Sequence, residues 1–231
     1  MSYPTFKIIC LAFSAVGYYI SFTSPNAAPD KKETYDTSSF YRVLRPLVLP
    51  HKAIACTVLI YEALTVFAVA YPSTPISPAI QHALCPTQDT TRLLSVPPTF
   101  TFGTGLLFLG ILIRVWCFRT LGTLFTFELT IRPNHTLRTD GPYAFVRHPS
   151  YIAATLVFLG FILVHSATSE CASAMAWYAP VMGIYFSGIA WVVFMLWGRG
   201  SIEDRKLRET FGREWEVYRE RVPWGFVPFV Y

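Results

Sequence analysis

An all-α, polytopic membrane helix bundle with about five transmembrane helices is the fold this sequence predicts, and three observations carry it. Hydrophobic residues make up 53% of the chain and charged residues only 14%, against roughly 25% charged in soluble domains. The apolar residues fall in long blocks rather than at helical or strand periods. Lys and Arg collect between alternate blocks, as they do where loops alternate across a bilayer.

Phe6–Phe22 reads as a first span or as a signal peptide, since Lys7 precedes the body of the apolar run and Asn26-Ala27-Ala28 follows it. Ala53–Tyr71, Phe100–Phe118 and Ala174–Trp197 suit a hydrocarbon core of about 30 Å, which takes about 20 helical residues. Tyr151–Val164 is shorter and is expected to begin within the motif before it. Pro149 fits the first turn of that helix, where its missing N–H would have no helical partner.

The first loop carries Lys31, Lys32, Arg42, Arg45 and Lys52, and the third Arg119, Arg132, Arg138 and Arg147; the second carries only Arg92 and the fourth none. By the positive-inside rule the first and third loops and the basic tail face the cytosol. The N-terminus and the second and fourth loops face away from it. Pro72, Pro75, Pro78, Pro86, Pro97 and Pro98 make the second loop irregular, and no catalytic machinery is expected there. Cys85 and Cys171 share the non-cytosolic side, where an oxidising compartment permits a bridge if their Cα atoms lie close enough. Past the last span, Leu207, Phe211, Trp215 and Tyr218 recur at steps of four, four and three. That spacing predicts an interfacial amphipathic helix from Ser201 to Arg221, weakened at Gly212 and ended by Pro223.

Several chemistries are excluded. The net charge of +5 is not arranged as a basic stripe interleaved with aromatics, so nucleic acid is not an expected partner and anionic lipid headgroups are. The five cysteines form no CxxC pair and have no histidines at zinc spacing, so no metal is expected. Gly103-x-Gly105 lies in an apolar block with no strand before it, unlike a Rossmann fingerprint.

Residues able to do chemistry gather in the third loop, His135 to Tyr151, and at the start of the tail. The Asp140-Gly141-Pro142 turn and the Pro149 helix start hold Arg147, His148 and Tyr151 at a helix mouth. Singly, each reads first as an interfacial anchor, and Arg199, Glu203 and Asp204 as a solvated helix start. Arg114 lies inside the third span, where charge is costly and commonly functional.

Jointly, Gly141-Pro142-Tyr143, Arg147-His148-Pro149-Ser150-Tyr151, Arg199-x-x-x-Glu203-Asp204-x-x-Leu207, Phe211-Gly212-x-x-Trp215-x-x-Tyr218 and a closing Val222-Pro223 to Pro228 resemble the isoprenylcysteine carboxyl methyltransferases. The resemblance runs from about Leu121 onward and implies a single methyltransferase domain, 1–231, with N-terminal spans in 1–98 and a catalytic half in 99–231. It implies S-adenosylmethionine as methyl donor, held by His135, Thr136, Leu137, Arg138, Tyr143, His148, Pro149, Ser150, Tyr151 and Glu203. Glu128 stands where the family can place an amide, and Asp204 where it usually has Glu. Arg199 would meet the substrate; Arg199 and Arg147 are the candidate catalytic residues, and Arg114, a charge inside a span, is a second candidate to bind the substrate carboxylate.

The implied reaction is methyl esterification of the C-terminal carboxylate of an isoprenylated cysteine, on a protein or a small prenylcysteine, at the cytosolic face of the endoplasmic reticulum. A lipid N-methyltransferase, an NADPH-dependent sterol reductase relative and a non-enzymatic membrane scaffold are the competing readings.

Overall fold

A computed structural model describes residues 2–28, 39–85, 90–128, 130 and 135–229, without the side chains of 39–47, 91 and 92. Lys31, Lys32, Pro86 and Arg132 therefore lie outside the described residues, as do the side chains of Arg42, Arg45 and Arg92. The chain forms α1 (Tyr3–Ser21), α2 (Ser39–Ala70), α3 (Ser77–Leu84), α4 (Thr91–Leu94), α5 (Pro98–Leu121), α6 (Pro149–Ser166), α7 (Glu170–Ser173), α8 (Tyr178–Phe211) and α9 (Arg213–Arg221), with no strand among the described residues. Five helices are long and apolar enough to cross a membrane: α1, Val48–Ala70 of α2, Pro98–Leu124, α6 and α8. Phe102, Leu112, Ile184 and Phe194 lie well exposed on two of them, α5 and α8. Such side chains would be a liability in water and are at home against lipid. The fold is the expected polytopic all-α membrane protein.

Two local expectations are revised. The second loop is less irregular than its prolines suggest, because Pro78 sits in the first turn of α3, where proline is tolerated. The helix expected over Ser201–Arg221 is in part a continuation of the last span, since α8 runs unbroken to Phe211. Gly212 then adopts φ +52°, a conformation that side chains with a Cβ rarely take, and α9 starts afresh.

The chain divides into two compact units. The first comprises Met1–Tyr19, Pro50–Leu109 and Leu156–Ala190. In it α5 and α6 meet at glycines: a Cβ on Gly160 would fall 2.5 Å from the Leu107 backbone nitrogen, and one on Gly103 2.7 Å from Leu163 Cβ. Gly103 therefore serves helix packing of the small-residue kind that membrane helices use. Cys85 and Cys171 are bridged, with Cα atoms 4.5 Å apart. Lys7, Glu62 and His165 are all buried in this unit. The Lys7 ammonium donates to the carbonyls of Leu93 and Ser95, both at 3.0 Å. Glu62 Oε1 lies 2.5 Å from His165 Nδ1, and the Tyr178 hydroxyl 3.0 Å from His165 Nε2.

The second unit comprises Ile20–Leu49, Gly110–Thr155 and Trp191–Tyr231. In it the side-chain amide of Asn26 donates to the carbonyls of Gly122 (2.7 Å) and Phe125 (2.9 Å), fixing the turn that follows α5. The candidate site lies wholly within this unit.

Candidate active site

The approach to α6 is set by a tight turn. Gly141 has φ +57°, and a Cβ there would lie 2.6 Å from Thr120 Oγ1, so both conformation and space call for glycine. The chain then pairs with the C-terminal segment: the N–H of Arg147 donates to Trp224 O at 2.9 Å and that of His148 to Gly225 O at 2.8 Å. The Arg147 guanidinium donates to the carbonyls of Val222 (3.0 Å) and Pro223 (2.5 Å). Its Nε and Nη2 both lie 3.0 Å from Asp204 Oδ2 on α8. One side chain thus joins the α6 mouth, α8 and the C-terminal segment.

His148 is buried between two carboxylates, with Nε2 3.1 Å from Asp204 Oδ1 and Nδ1 3.6 Å from Glu203 Oε2. Burial alone would lower its pKa; the hydrogen-bonding and charge of Asp204 and Glu203 outweigh that and raise it to about 9. The imidazole is therefore a cation at neutral pH, and the ordinary acceptor role of a neutral histidine is closed to it. The hydroxyl of Tyr151 donates to Glu203 Oε2 at 2.5 Å, and the Tyr151 ring stacks on His148 with centroids 5.5 Å apart.

Arg199 is 6% exposed although it follows the end of the last apolar block. Its Nη1 donates to the Phe127 carbonyl at 2.6 Å and its guanidinium lies 5.6 Å from the centroid of the Tyr151 ring. The continuation of α8 explains this: Arg199 and Glu203, four residues apart, share one helical face, and Glu203 and Asp204 both meet the α6 mouth. Arg114 is also buried; its Nε donates to Ser21 O at 3.0 Å and its Nη1 to the carbonyl and hydroxyl of Ser150. Phe118, Phe125 and Phe127 surround that guanidinium at 5.2, 5.6 and 5.5 Å.

The third-loop stretch docks on the C-terminal helices. Leu137 packs against Trp215, Tyr218 and Val222, and the His135 ring lies 5.9 Å from that of Phe211. Thr136 and Arg138 are exposed. The Tyr143 carbonyl accepts the Tyr218 hydroxyl at 2.8 Å. Burial raises the pKa of both phenols, so both remain protonated and able to donate. The Glu128 carbonyl accepts the Thr126 hydroxyl at 2.6 Å, next to the Phe127 carbonyl that binds Arg199.

The structure thus gathers His148, Tyr151, Arg199 and Glu203 into one cluster, with Arg147 on its rim and Arg114 with Ser150 beside it. Sequence reasoning did not single out Trp197, Gly200 and Phe226. The Trp197 and Phe226 rings stack 5.0 Å apart, and Gly200 lets Phe226 approach. The Phe127 carbonyl is a backbone group and carries no residue-type signal at all.

A polytopic helical membrane protein, with a buried site of mixed charge where its third loop, an α6 mouth and a C-terminal segment meet, is the class this structure defines. Residues 103–186 match the model of the isoprenylcysteine carboxyl methyltransferase family, in keeping with the resemblance of the motifs; that stretch ends ahead of Arg199 and Glu203. The chain is 34% identical over 131 residues to protein-S-isoprenylcysteine O-methyltransferase B of Arabidopsis thaliana, covering 56% of this chain and 59% of that protein. It is 32% identical over 132 residues to the protein-S-isoprenylcysteine O-methyltransferase of Schizosaccharomyces pombe, covering 56% of this chain and 50% of that one. With the Homo sapiens protein of the same name it shares 32% over 96 residues, 28% of that protein's length. The matches thus span between about a quarter and three-fifths of these relatives. No solved structure matches the chain.

Proposed function

We propose that the chain is an S-adenosylmethionine-dependent methyltransferase that esterifies the C-terminal carboxylate of an isoprenylated cysteine at the cytosolic leaflet, in the endoplasmic reticulum membrane. The observation that carries this is the meeting of His148 and Tyr151 with Arg199 and Glu203, residues far apart in sequence that the family resemblance assigns to one pocket.

The donor set fits such a cofactor. Glu203 and Asp204 supply acceptors for an ammonium or a ribose diol, and the rings of Tyr151 and Trp197 supply faces for an adenine or a sulfonium. The bound cofactor would supply an electrophilic methyl group. A peptide carboxylate has a pKa of about 3.5, so it is already an anion at neutral pH and needs no general base. What the protein must do is hold that anion and exclude water. Arg199 presents a planar donor fork that suits a carboxylate, and Tyr151 together with the Phe127 carbonyl fixes its orientation. His148, held cationic by Glu203 and Asp204, keeps the α6 mouth on α8. An apolar prenyl chain partitions into lipid while the cofactor comes from water, which suits a site at a helix mouth.

The orientation follows from the Lys/Arg tally. It agrees with the Cys85–Cys171 bridge, which joins the second and fourth loops and is expected in an oxidising compartment. The deciding experiment is methyl transfer from labelled S-adenosylmethionine to N-acetyl-S-farnesylcysteine in membranes containing the protein, beside Arg199→Ala and His148→Ala. A base-labile ester that both variants fail to make supports the reading. Transfer to a lipid amine with no ester would replace the carboxylate by a headgroup, and absence of both cofactor binding and transfer would sink it.

A further inference from the structure

Phe226 is 3% exposed, although it lies only a few residues from a largely exposed Phe229. Its ring lies flat on Trp197, with centroids 5.0 Å apart and planes 8° from parallel. It is 5.3 Å from the His148 ring and 6.4 Å from that of Tyr151. Against it stands Gly200, the neighbour of Arg199: a Cβ there would come within 2.5 Å of Phe226 Cζ and 3.1 Å of His148 Cδ2. One ring therefore touches both walls of the cluster, the α6 mouth and the α8 face. The segment that carries it is held by backbone pairing to Arg147 and His148 and by the Arg147 guanidinium, itself fixed by Asp204.

Resting on the methyltransferase reading above, we propose that residues 222–226 form a strap that completes the cofactor pocket, with Phe226 as a positioning residue. The ring sets the spacing between His148 and the turn of α8 that bears Arg199, and Arg147 with Asp204 is the clasp. The glycine at 200 is then a size requirement imposed by Phe226. A helix turn that merely needed to be helical would favour alanine there.

The test uses the full chain in detergent or nanodiscs, with labelled S-adenosylhomocysteine as the probe and trypsin as a second readout. Phe226→Ala and Gly200→Ala are each expected to weaken probe binding about tenfold or more. The KM for N-acetyl-S-farnesylcysteine should change far less than the KM for the cofactor. Combining Gly200→Ala with Phe226→Leu restores space for the Cβ, and is expected to recover most of the binding lost in Gly200→Ala alone. In the unsubstituted chain the probe should slow tryptic cleavage after Arg221; in Phe226→Ala it should not.

Unchanged probe affinity in Phe226→Ala, or no recovery in a double variant that unfolds at the same temperature as the unsubstituted chain, would overturn the strap while leaving the methyltransferase reading intact. Failure of the unsubstituted chain itself to bind the probe or transfer methyl would overturn that reading, and the strap's cofactor role with it.

Discussion

His148 faces Asp204 across 3.1 Å, and both lie on groups that Arg147 also holds: the imidazole follows it in sequence, and the carboxylate accepts its guanidinium. The three residues form one charge cluster in which a single proton matters.

That proton gives a pH signature. The folded pKa of His148 is raised to about 9, against an unfolded value of about 6.5. The folded state therefore holds the proton more tightly, and its contribution to stability is fully present below about pH 6.5 and lost as pH rises through about 9. Thermal unfolding midpoints from pH 6 to 10 should fall more steeply for the unsubstituted chain than for His148→Gln. Parallel profiles would show that the imidazole carries no such proton.

Glu62 should be costly to remove. In Glu62→Ala the buried Lys7 and His165 keep their burial and lose an acidic neighbour, and breaking a buried pair from one side typically costs about 3 to 5 kcal/mol. A marked loss of thermal stability is expected, with part of it regained in Glu62→Ala combined with Lys7→Met. Urea or thermal melts of the single and double variants measure this, and an additive double variant would argue against coupling.

The α5–α6 approach predicts contrasting glycine variants. Gly160→Val places a branched side chain within 2.5 Å of the Leu107 backbone and should destabilise by about 1 to 3 kcal/mol or more. Gly105→Ala meets nothing within 4 Å and should be neutral. Comparing melting temperatures settles the point; equal effects would contradict the packing described.

The Cys85–Cys171 bridge closes a loop with a sequence separation of 86. Replacing both cysteines by serine should cost about 2 to 4 kcal/mol, and reductant should lower the melting temperature of the unsubstituted chain but not of the variant. Insensitivity of both to reductant would mean that the bridge adds nothing to stability.

The spans were legible because bilayer thickness imposes a length of apolar sequence, and Pro149 marked the start of α6 because its chemistry fits few other helical positions. The end of the last span was not legible. Arg199, Glu203 and Asp204 read as a solvated helix start, yet α8 continues through them and Arg199 is buried by the third loop. Lys7 is similar: in sequence it is a lone basic residue at the start of an apolar run, and in the fold its ammonium donates to carbonyls of the distant second loop. Charge in a sequence states a cost of burial, while the partners that meet that cost come from tertiary structure. Phe226 gave no signal because one more aromatic near an apolar tail is unremarkable until its neighbours are known. The joint motif spacing reached His148, Tyr151, Arg199 and Glu203, while the surrounding rings and the Phe127 carbonyl were beyond it.

The pairing of Arg147 and His148 with Trp224 and Gly225 also fixes an order of events in synthesis. The five long apolar helices are all synthesised before the segment that pairs with the α6 mouth. The α6 mouth is therefore made with this cluster still open at one side, and His148 gains its final surroundings only once residues 222–226 have followed. Completion of the cluster is in this sense a late step, and a chain that stops before residue 222 would carry the same five long apolar helices and lack the pairing at His148.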